Sequence, residues 1–237
     1  MLRSLRSRTR LTPDPREPIH VLHVGKTGGT ALNHALVEHQ GVSRYRPVFR
    51  GHEATLADVP VGERYLFVIR NPLSRFVSAF NSRLREGRPR YHYPWRDEER
   101  VAFAIFATPD ELATALSSGD PMRREQAEQA MKGIGHLNTP YSFWFGEAAD
   151  FRARLSDLFF VGFQERLDDD FEVLKQKLGL PPAAQLPRGE AAHQAPRGFD
   201  VHLGGTARAN LERWYADDLA FVELCRELSP RVNTVRA

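Results

Sequence analysis

The chain has 237 residues, of which 41% are hydrophobic and 27% charged, and its formal net charge is +3. This composition is ordinary for a soluble globular protein, and so small a charge gives no argument for a nucleic-acid partner, although it favours an acidic ligand. Cys225 is the only cysteine, so no internal disulfide bond can form. No apolar stretch reaches membrane-spanning length, and we expect a cytoplasmic protein without a membrane span.

Residues 1–17 are expected to form a flexible basic tail. The segment lacks the apolar core of a secretory signal. It carries arginines and then prolines (Arg3, Arg6, Arg8, Arg10, Pro13, Pro15). Because no composition shift marks a boundary further along, residues 18–237 are expected to form one domain.

A buried strand is predicted over residues 18–24, followed directly by a glycine-rich loop and a helix from Thr30 to His39. Glycines let the backbone approach a ligand closely, and the N–H groups at a helix start favour an anion. Lysine adds a positive charge and threonine adds hydroxyl donors. The residues expected to bind a phosphorylated ligand are Gly25, Lys26, Thr27, Gly28, Gly29 and Thr30.

A second strand-helix unit follows a short extended segment at residues 46–49. A strand is predicted over residues 65–69, ending at Arg70. Asn71 is a good N-cap and Pro72 a good first helical residue. The helix that follows has an apolar stripe formed by Leu73, Phe76, Val77, Phe80 and Leu84.

The segment at residues 85–100 is rich in arginine, tyrosine and proline, and we expect a loop that could act as a lid over an acceptor. Helices are predicted at about 98–107, 109–117 and 121–132.

The C-terminal part of the chain contains a third apolar strand at residues 158–162. A helix over residues 167–178 is predicted to end at Gly179. An irregular segment at residues 181–205 precedes a last helix over about 206–228. Strands that alternate with helices predict an α/β domain with a central, mostly parallel sheet flanked by helices.

Both candidate anion-binding units follow strands, where ligands bind in such sheets. Gly25-Lys26-Thr27 matches the end of the nucleoside-triphosphate P-loop, but His20 stands where that signature needs glycine. No predicted strand ends in an aspartate placed for Mg²⁺. A nucleotide-dependent phosphotransferase with a degenerate loop therefore stays an alternative. Arg70, with Ser78 two turns further on, suggests a ligand with a second anionic group.

These motifs resemble those of the sulfotransferases that use 3′-phosphoadenosine 5′-phosphosulfate (PAPS). Residues 24–30 look like the 5′-phosphosulfate loop, and residues 70–81 are similar to the 3′-phosphate motif, with an arginine and a serine eight residues on. Residues 160–167 and 214–219 resemble the carbohydrate branch, which includes the heparan 2-O-sulfotransferases. The chain differs in having Gly25 where that branch usually has proline, and we expect it to lack the N-terminal membrane anchor of the Golgi members.

The resemblance implies a P-loop-like three-layer fold and a soluble bacterial-type enzyme. It would transfer a sulfuryl group in line from PAPS to a hydroxyl of a carbohydrate or other small acceptor, with no metal required. Lys26 would stabilise the leaving group, and His52 would be the general base. Glu53 is an alternative base or an orienting partner of the histidine. Arg197 is a further candidate contact for the 3′-phosphate.

The sequence indicates fewer residues for the acceptor site than for the donor site. His136 and Asn138 precede the aromatic run at residues 143–145, and they could touch the acceptor or assist catalysis. Tyr91 and Trp95 are candidate acceptor contacts from the lid. Trp144 and His23 are expected to be core residues. A basic and aromatic lid is also compatible with a plain solvated loop or with a non-enzymatic nucleotide- or RNA-binding module.

Overall fold

Four parallel strands form the centre of the described part of the chain, which comprises residues 14–89, 91–189 and 198–235 of a computed structural model. Their spatial order is β2-β1-β3-β4, and every neighbouring pair is parallel. The strands are β1 (Pro18–Leu22), β2 (Arg46–Phe49), β3 (Arg64–Ile69) and β4 (Leu158–Phe163). The four predicted extended segments are thereby confirmed, whereas most of the expected tail, residues 1–13, lies outside the described residues.

Helices occupy most of the remaining described chain, and most of the predicted ones are confirmed. They are α1 (Gly29–His39), α2 (Pro72–Leu84), α3 (Asp97–Ile105), α4 (Pro109–Ala115), α5 (Pro121–Gly133), α6 (Tyr141–Phe145), α7 (Ala148–Ala153), α8 (Leu167–Leu178), α9 (Gly205–Trp214) and α10 (Ala216–Val232). Among the described residues, none of the helices is both long and apolar enough to cross a membrane.

The last predicted helix is wrong in one respect, because it is two helices. The chain turns at Tyr215, whose buried hydroxyl donates a hydrogen bond to the carbonyl of Leu137 at 3.1 Å. This contact joins residues far apart in sequence, so helical periodicity does not reveal it. The helices α6 and α7 were not predicted, since five or six residues are too few to establish a period.

Predicted helix ends are confirmed at two places. The side chain of Asn71 accepts hydrogen bonds from the backbone N–H groups of Leu73 and Ser74, at 2.9 and 3.4 Å, and Pro72 is the first residue of α2. Gly179 ends α8 with a φ of 67°, in the left-handed region that glycine adopts without steric cost.

Both faces of the sheet are covered by helices, which makes three layers. On one face Val21 and Leu66 pack with α1 and α8, and on the other Phe67 and Val161 pack with α6, α7 and α10. Such burial explains why the strands are continuous apolar runs rather than alternating ones. The remaining helices, α3, α4, α5 and α9, share a cluster with the apolar stripe of α2.

The segment between α2 and α3 is anchored by a buried ion pair. Arg83 donates from Nε and Nη2 to the carboxylate of Glu99, at 2.6 Å each, and also binds the carbonyls of Tyr93 and Pro94. Glu99 in turn accepts a hydrogen bond from the N–H of Gly135 at 3.0 Å. Burial alone would raise the pKa of Glu99, but these hydrogen bonds lower it to about 2.

Candidate functional site

A cavity of about 870 Å³ lies where the strands end at their carboxyl edge. It is lined by residues that directly follow β1, β3 and β4, together with parts of α2 and the segment after it. The predicted site residues that line it are Lys26, Gly28, Gly29, Thr30, His52, Arg70, Ser78, Tyr91 and His136. The structure therefore brings both candidate anion-binding units to one cavity.

The loop after β1 has a backbone that few residues other than glycine adopt. Lys26 has a φ of 67° and Gly28 a φ of 91°, both in the left-handed region. For lysine this conformation costs about 1–2 kcal/mol. At Gly29 a Cβ atom would lie 2.7 Å from Cδ2 of His23, so a larger residue would displace the His23 ring. Helix α1 begins at this glycine, and its first residues line the cavity.

Two loop residues hold the loop itself rather than line the cavity. Thr27 is fully buried, and its hydroxyl donates a hydrogen bond to the carbonyl of Val24 at 3.0 Å. The expected donation from this hydroxyl to a ligand is therefore not supported. Gly25 is also buried, and its carbonyl accepts a hydrogen bond from Nε of Arg75 at 3.0 Å.

Arg70 lines the cavity from the position directly after β3, and Ser78 lines it from the middle of α2. Nε of Arg70 donates to the Ser74 hydroxyl at 2.9 Å, and its Nη1 lies 3.4 Å from the carbonyl oxygen of Lys26. Burial lowers the pKa of Arg70 from its ordinary value, and the charge of Glu165 opposes this. A guanidinium group stays protonated in proteins, so this wall of the cavity carries a fixed positive charge.

Three histidines, His23, His52 and His136, line the cavity together with the loop lysine. The ring of His52 packs on the ring of His23 with centroids 3.8 Å apart and an interplanar angle of 34°. His136 has a φ of 69°, and its Nδ1 would lie 3.1 Å from a Cβ added at Gly25. The expectation that His23 is a core residue is wrong, because it is half-buried at the cavity wall.

These surroundings favour neutral imidazoles. Partial burial lowers the pKa of His52 below its usual 6.5, the charge of Lys26 lowers it further, and a hydrogen bond with the His23 backbone opposes the shift. Burial, followed by the charges of Lys26 and Arg75, lowers the pKa of His136 to about 3. Both rings are therefore neutral at neutral pH, and the strongly lowered pKa makes His136 a poor proton acceptor.

Comparison with known proteins found no family model that matches this chain and no curated protein that matches it. Within residues 14–89, 91–189 and 198–235, no three histidine, cysteine, aspartate or glutamate side chains are grouped so that they could hold a metal ion.

Besides Gly25 and Thr27, three predicted site residues lie outside the cavity lining. Asn138 is exposed, and its amide donates to the carbonyl of Lys132 at 2.8 Å. Trp95 turns away because its Nε1 donates to the carbonyl of Arg83 at 2.7 Å. Glu53 is exposed to solvent, although its charge raises the pKa of His52. Arg197 lies outside the described residues.

The aromatic run after residue 140 is confirmed as core at Trp144, which is 2% exposed. Its Nε1 nevertheless donates to the carbonyl of His52 at 2.9 Å, so it also supports the cavity.

Sequence analysis missed Arg75 and Glu165. Arg75 lies off the apolar stripe of α2, so periodicity gives no sign that its side chain is buried. Glu165 lines the cavity and accepts a hydrogen bond from the N–H of Asn71 at 2.7 Å. Its position directly after β4 was the only available signal, since strand ends in such sheets carry ligand contacts.

Proposed function

We propose that the protein transfers a sulfuryl group from PAPS to a hydroxyl of a carbohydrate or another small acceptor. The observation that carries this proposal is a single cavity lined by the glycine-lysine loop and by the pair Arg70 and Ser78, with His52 beside them. Its volume of about 870 Å³ falls in the range of small-molecule and cofactor sites.

The two positively charged walls suit the two ends of this donor. The N-terminus of α1 and the ammonium group of Lys26 would bind the 5′-phosphosulfate, because backbone N–H groups and a point charge favour an anion there. Arg70 and Ser78 would bind the 3′-phosphate through a guanidinium fork and a hydroxyl donor. Bound PAPS would supply an activated sulfuryl group, and adenosine 3′,5′-bisphosphate would be the leaving group.

The residues around the loop divide the transfer between them. Neutral His52 would accept the proton of the acceptor hydroxyl as that oxygen forms its bond to sulfur. Lys26 would stabilise the negative charge that develops on the 5′-phosphate oxygen as its bond to sulfur breaks. Holding these groups ready in one cavity contributes to the rate, because they need not reorganise during the reaction.

Ligand binding tests the proposal directly. At a hundred times its dissociation constant, adenosine 3′,5′-bisphosphate is expected to raise Tm by about 5–10 °C without Mg²⁺. Adenosine 5′-monophosphate, which lacks the 3′-phosphate, is the matched control. At the same concentration it should raise Tm less. A transfer assay with labelled PAPS against sugars, glycolipids and phenols then identifies the acceptor.

Other outcomes of the binding experiment would contradict the proposal. Stabilisation by Mg²⁺-ATP or Mg²⁺-GTP alone would favour the phosphotransferase. Stabilisation by no nucleotide, together with salt-sensitive RNA binding, would favour the non-enzymatic binding module.

The pH dependence of kcat tests the role of His52. Because only the neutral imidazole accepts a proton and its pKa lies below 6.5, activity is expected to be full at pH 7–8 and to fall as the pH drops through that pKa. His52→Ala is expected to lower kcat by about 10²–10⁴-fold and to remove this acidic limb. The Trp144 hydrogen bond to the backbone of residue 52 is retained in this variant.

His34→Ala is the control, because His34 is exposed on α1 and does not line the cavity. A His52→Ala enzyme with an unchanged acidic limb would show that another group is the base.

A further inference from the structure

The guanidinium group of Arg75 lies buried behind the cavity wall, with 2% of the residue exposed. Its Nε donates to the carbonyl of Gly25 at 3.0 Å, and its Nη2 donates to the carbonyl of Thr139 at 2.8 Å. Its Nη1 lies 3.8 Å from the carboxylate of Asp218. One side chain therefore joins the loop after β1, the segment before α6 and helix α10.

The hydrogen bond from Arg75 to the Gly25 carbonyl constrains the backbone of Lys26. That carbonyl belongs to the peptide unit preceding Lys26, and in a trans peptide the N–H points opposite to the C=O. Holding the carbonyl thus fixes the direction of the lysine N–H. On the other side, Nη1 of Arg70 lies 3.4 Å from the Lys26 carbonyl oxygen. Two arginines therefore support both peptide units around a residue whose left-handed backbone is unfavourable.

The hydrogen bond from Arg75 to the Thr139 carbonyl constrains the segment that carries His136. Thr139 lies three residues after this histidine, which also has a left-handed backbone. Because the same guanidinium group binds Gly25, the segments carrying Lys26 and His136 are held against each other. The close approach of the His136 ring to Gly25 agrees with this.

Contacts through two aromatic rings reach the remaining site residues. The guanidinium carbon of Arg75 lies 5.1 Å from the ring centroid of Trp144 and 5.0 Å from that of Tyr141. Trp144 donates to the His52 carbonyl at 2.9 Å, and the Tyr141 hydroxyl donates to the Arg70 carbonyl at 2.5 Å. Arg75 therefore contacts the two aromatic residues whose side chains hydrogen-bond to the backbones of His52 and Arg70.

We propose that Arg75 is a positioning residue, which sets the placement of Lys26 relative to His52 and His136; its effect on turnover rests on the transfer function proposed above. Arginine suits this position because its planar fork offers five N–H donors in fixed directions, whereas lysine offers a single point of attachment. Asp218 supplies the opposite charge that a buried cation requires.

The variant Arg75→Lys tests this role while keeping the positive charge beside Asp218. Misplacing catalytic groups by about 1 Å costs roughly 10²-fold in rate, so kcat is expected to fall by about 10²-fold while the affinity for adenosine 3′,5′-bisphosphate changes less. Amide hydrogen exchange in residues 25–30 and 135–140 of the ligand-free protein is expected to become faster, without a matching change in α8.

Arg154→Lys is the matched control. Arg154 also binds backbone carbonyls, those of Leu56, Val59 and Pro60 at 3.5, 3.1 and 3.0 Å, and a nearby carboxylate, that of Asp157. It does not line the large cavity. The control should leave kcat and exchange in residues 25–30 unchanged.

Trp144→Phe provides a second variant that does not disturb the ion pair. It keeps an aromatic ring beside Arg75, but it removes the hydrogen bond to the His52 carbonyl and leaves a smaller ring in a buried position. We expect kcat to fall by a smaller factor, about tenfold, with unchanged affinity for adenosine 3′,5′-bisphosphate. Wild-type kcat in this variant would overturn the link between Arg75 and His52.

Unchanged kcat and unchanged loop exchange in Arg75→Lys would overturn the proposal. So would faster exchange throughout the protein with kcat and affinity reduced equally, since that pattern indicates a merely structural role. If the wild-type protein neither binds adenosine 3′,5′-bisphosphate nor transfers sulfate, the proposed function fails. In that case the exchange experiment still decides whether Arg75 orders the loop.

Discussion

Replacing Lys26 with alanine is expected to lower kcat by about 10²–10³-fold, the cost of losing one group that stabilises charge in the transition state. Affinity for adenosine 3′,5′-bisphosphate should change far less, because the N-terminus of α1 and the pair Arg70 and Ser78 remain in place. Steady-state kinetics with saturating PAPS, together with calorimetric binding of the product nucleotide, measure the two effects separately.

The backbone of this residue supplies a sharp control. Lys26→Gly also removes the ammonium group, but glycine adopts a φ of 67° without steric cost, so this variant should be at least as stable as the alanine variant. Equal losses of kcat in both variants would assign the effect to the ammonium group. Lys132→Ala, on the exposed end of α5, should leave kcat unchanged. A wild-type kcat in Lys26→Gly would show that the ammonium group of Lys26 does not contribute to catalysis.

Replacing Arg70 with alanine is expected to weaken the binding of adenosine 3′,5′-bisphosphate by roughly 10²-fold, since charge-assisted hydrogen bonds are among the strongest in proteins. Turnover at saturating donor should be reduced much less. The affinity for adenosine 5′-monophosphate should stay near that of the wild-type protein. Isothermal titration with both nucleotides therefore measures the contribution of the 3′-phosphate as the ratio of two dissociation constants.

Arg100→Ala is a control for the loss of positive charge, because Arg100 is exposed on α3 and lies outside the cavity lining. An Arg70→Ala protein that still prefers the bisphosphate by the wild-type ratio would refute the assignment of Arg70 to the 3′-phosphate. Equal weakening of both nucleotides would instead indicate general electrostatic attraction, which high salt would screen.

Much of the fold could be predicted from the sequence because its signals are local. Strands β1, β3 and β4 are apolar runs that end at Leu22, Ile69 and Phe163, and a parallel sheet brings the residues that follow them to one edge. Asn71 and Gly179 mark helix ends through hydrogen bonding and backbone preference within a few residues. The loop and Arg70 were therefore expected to share a site, and the cavity brings them together.

The parts that were missed depend on contacts between distant segments. The side chain of Arg75 meets Gly25, Thr139 and Asp218, which are separated from it by 50 to 143 residues, and no pattern in α2 marks it as buried. His23 was assigned to the core because it lies inside the strand predicted over residues 18–24, but β1 ends at Leu22 and glycine at position 29 leaves room for the His23 ring at the cavity wall. Asn138 was selected by sequence proximity to His136, although its amide binds the end of α5.

The ion pair between Arg83 and Glu99 makes two parts of the cavity wall mutually dependent. One carboxylate holds both the arginine that binds the carbonyls of Tyr93 and Pro94 and the N–H of Gly135, the residue before His136. An insertion or deletion between α2 and α3 would therefore also disturb the turn that carries this histidine. Substitutions in the segment between α2 and α3 and in the turn that carries His136 are therefore expected to occur together during evolution.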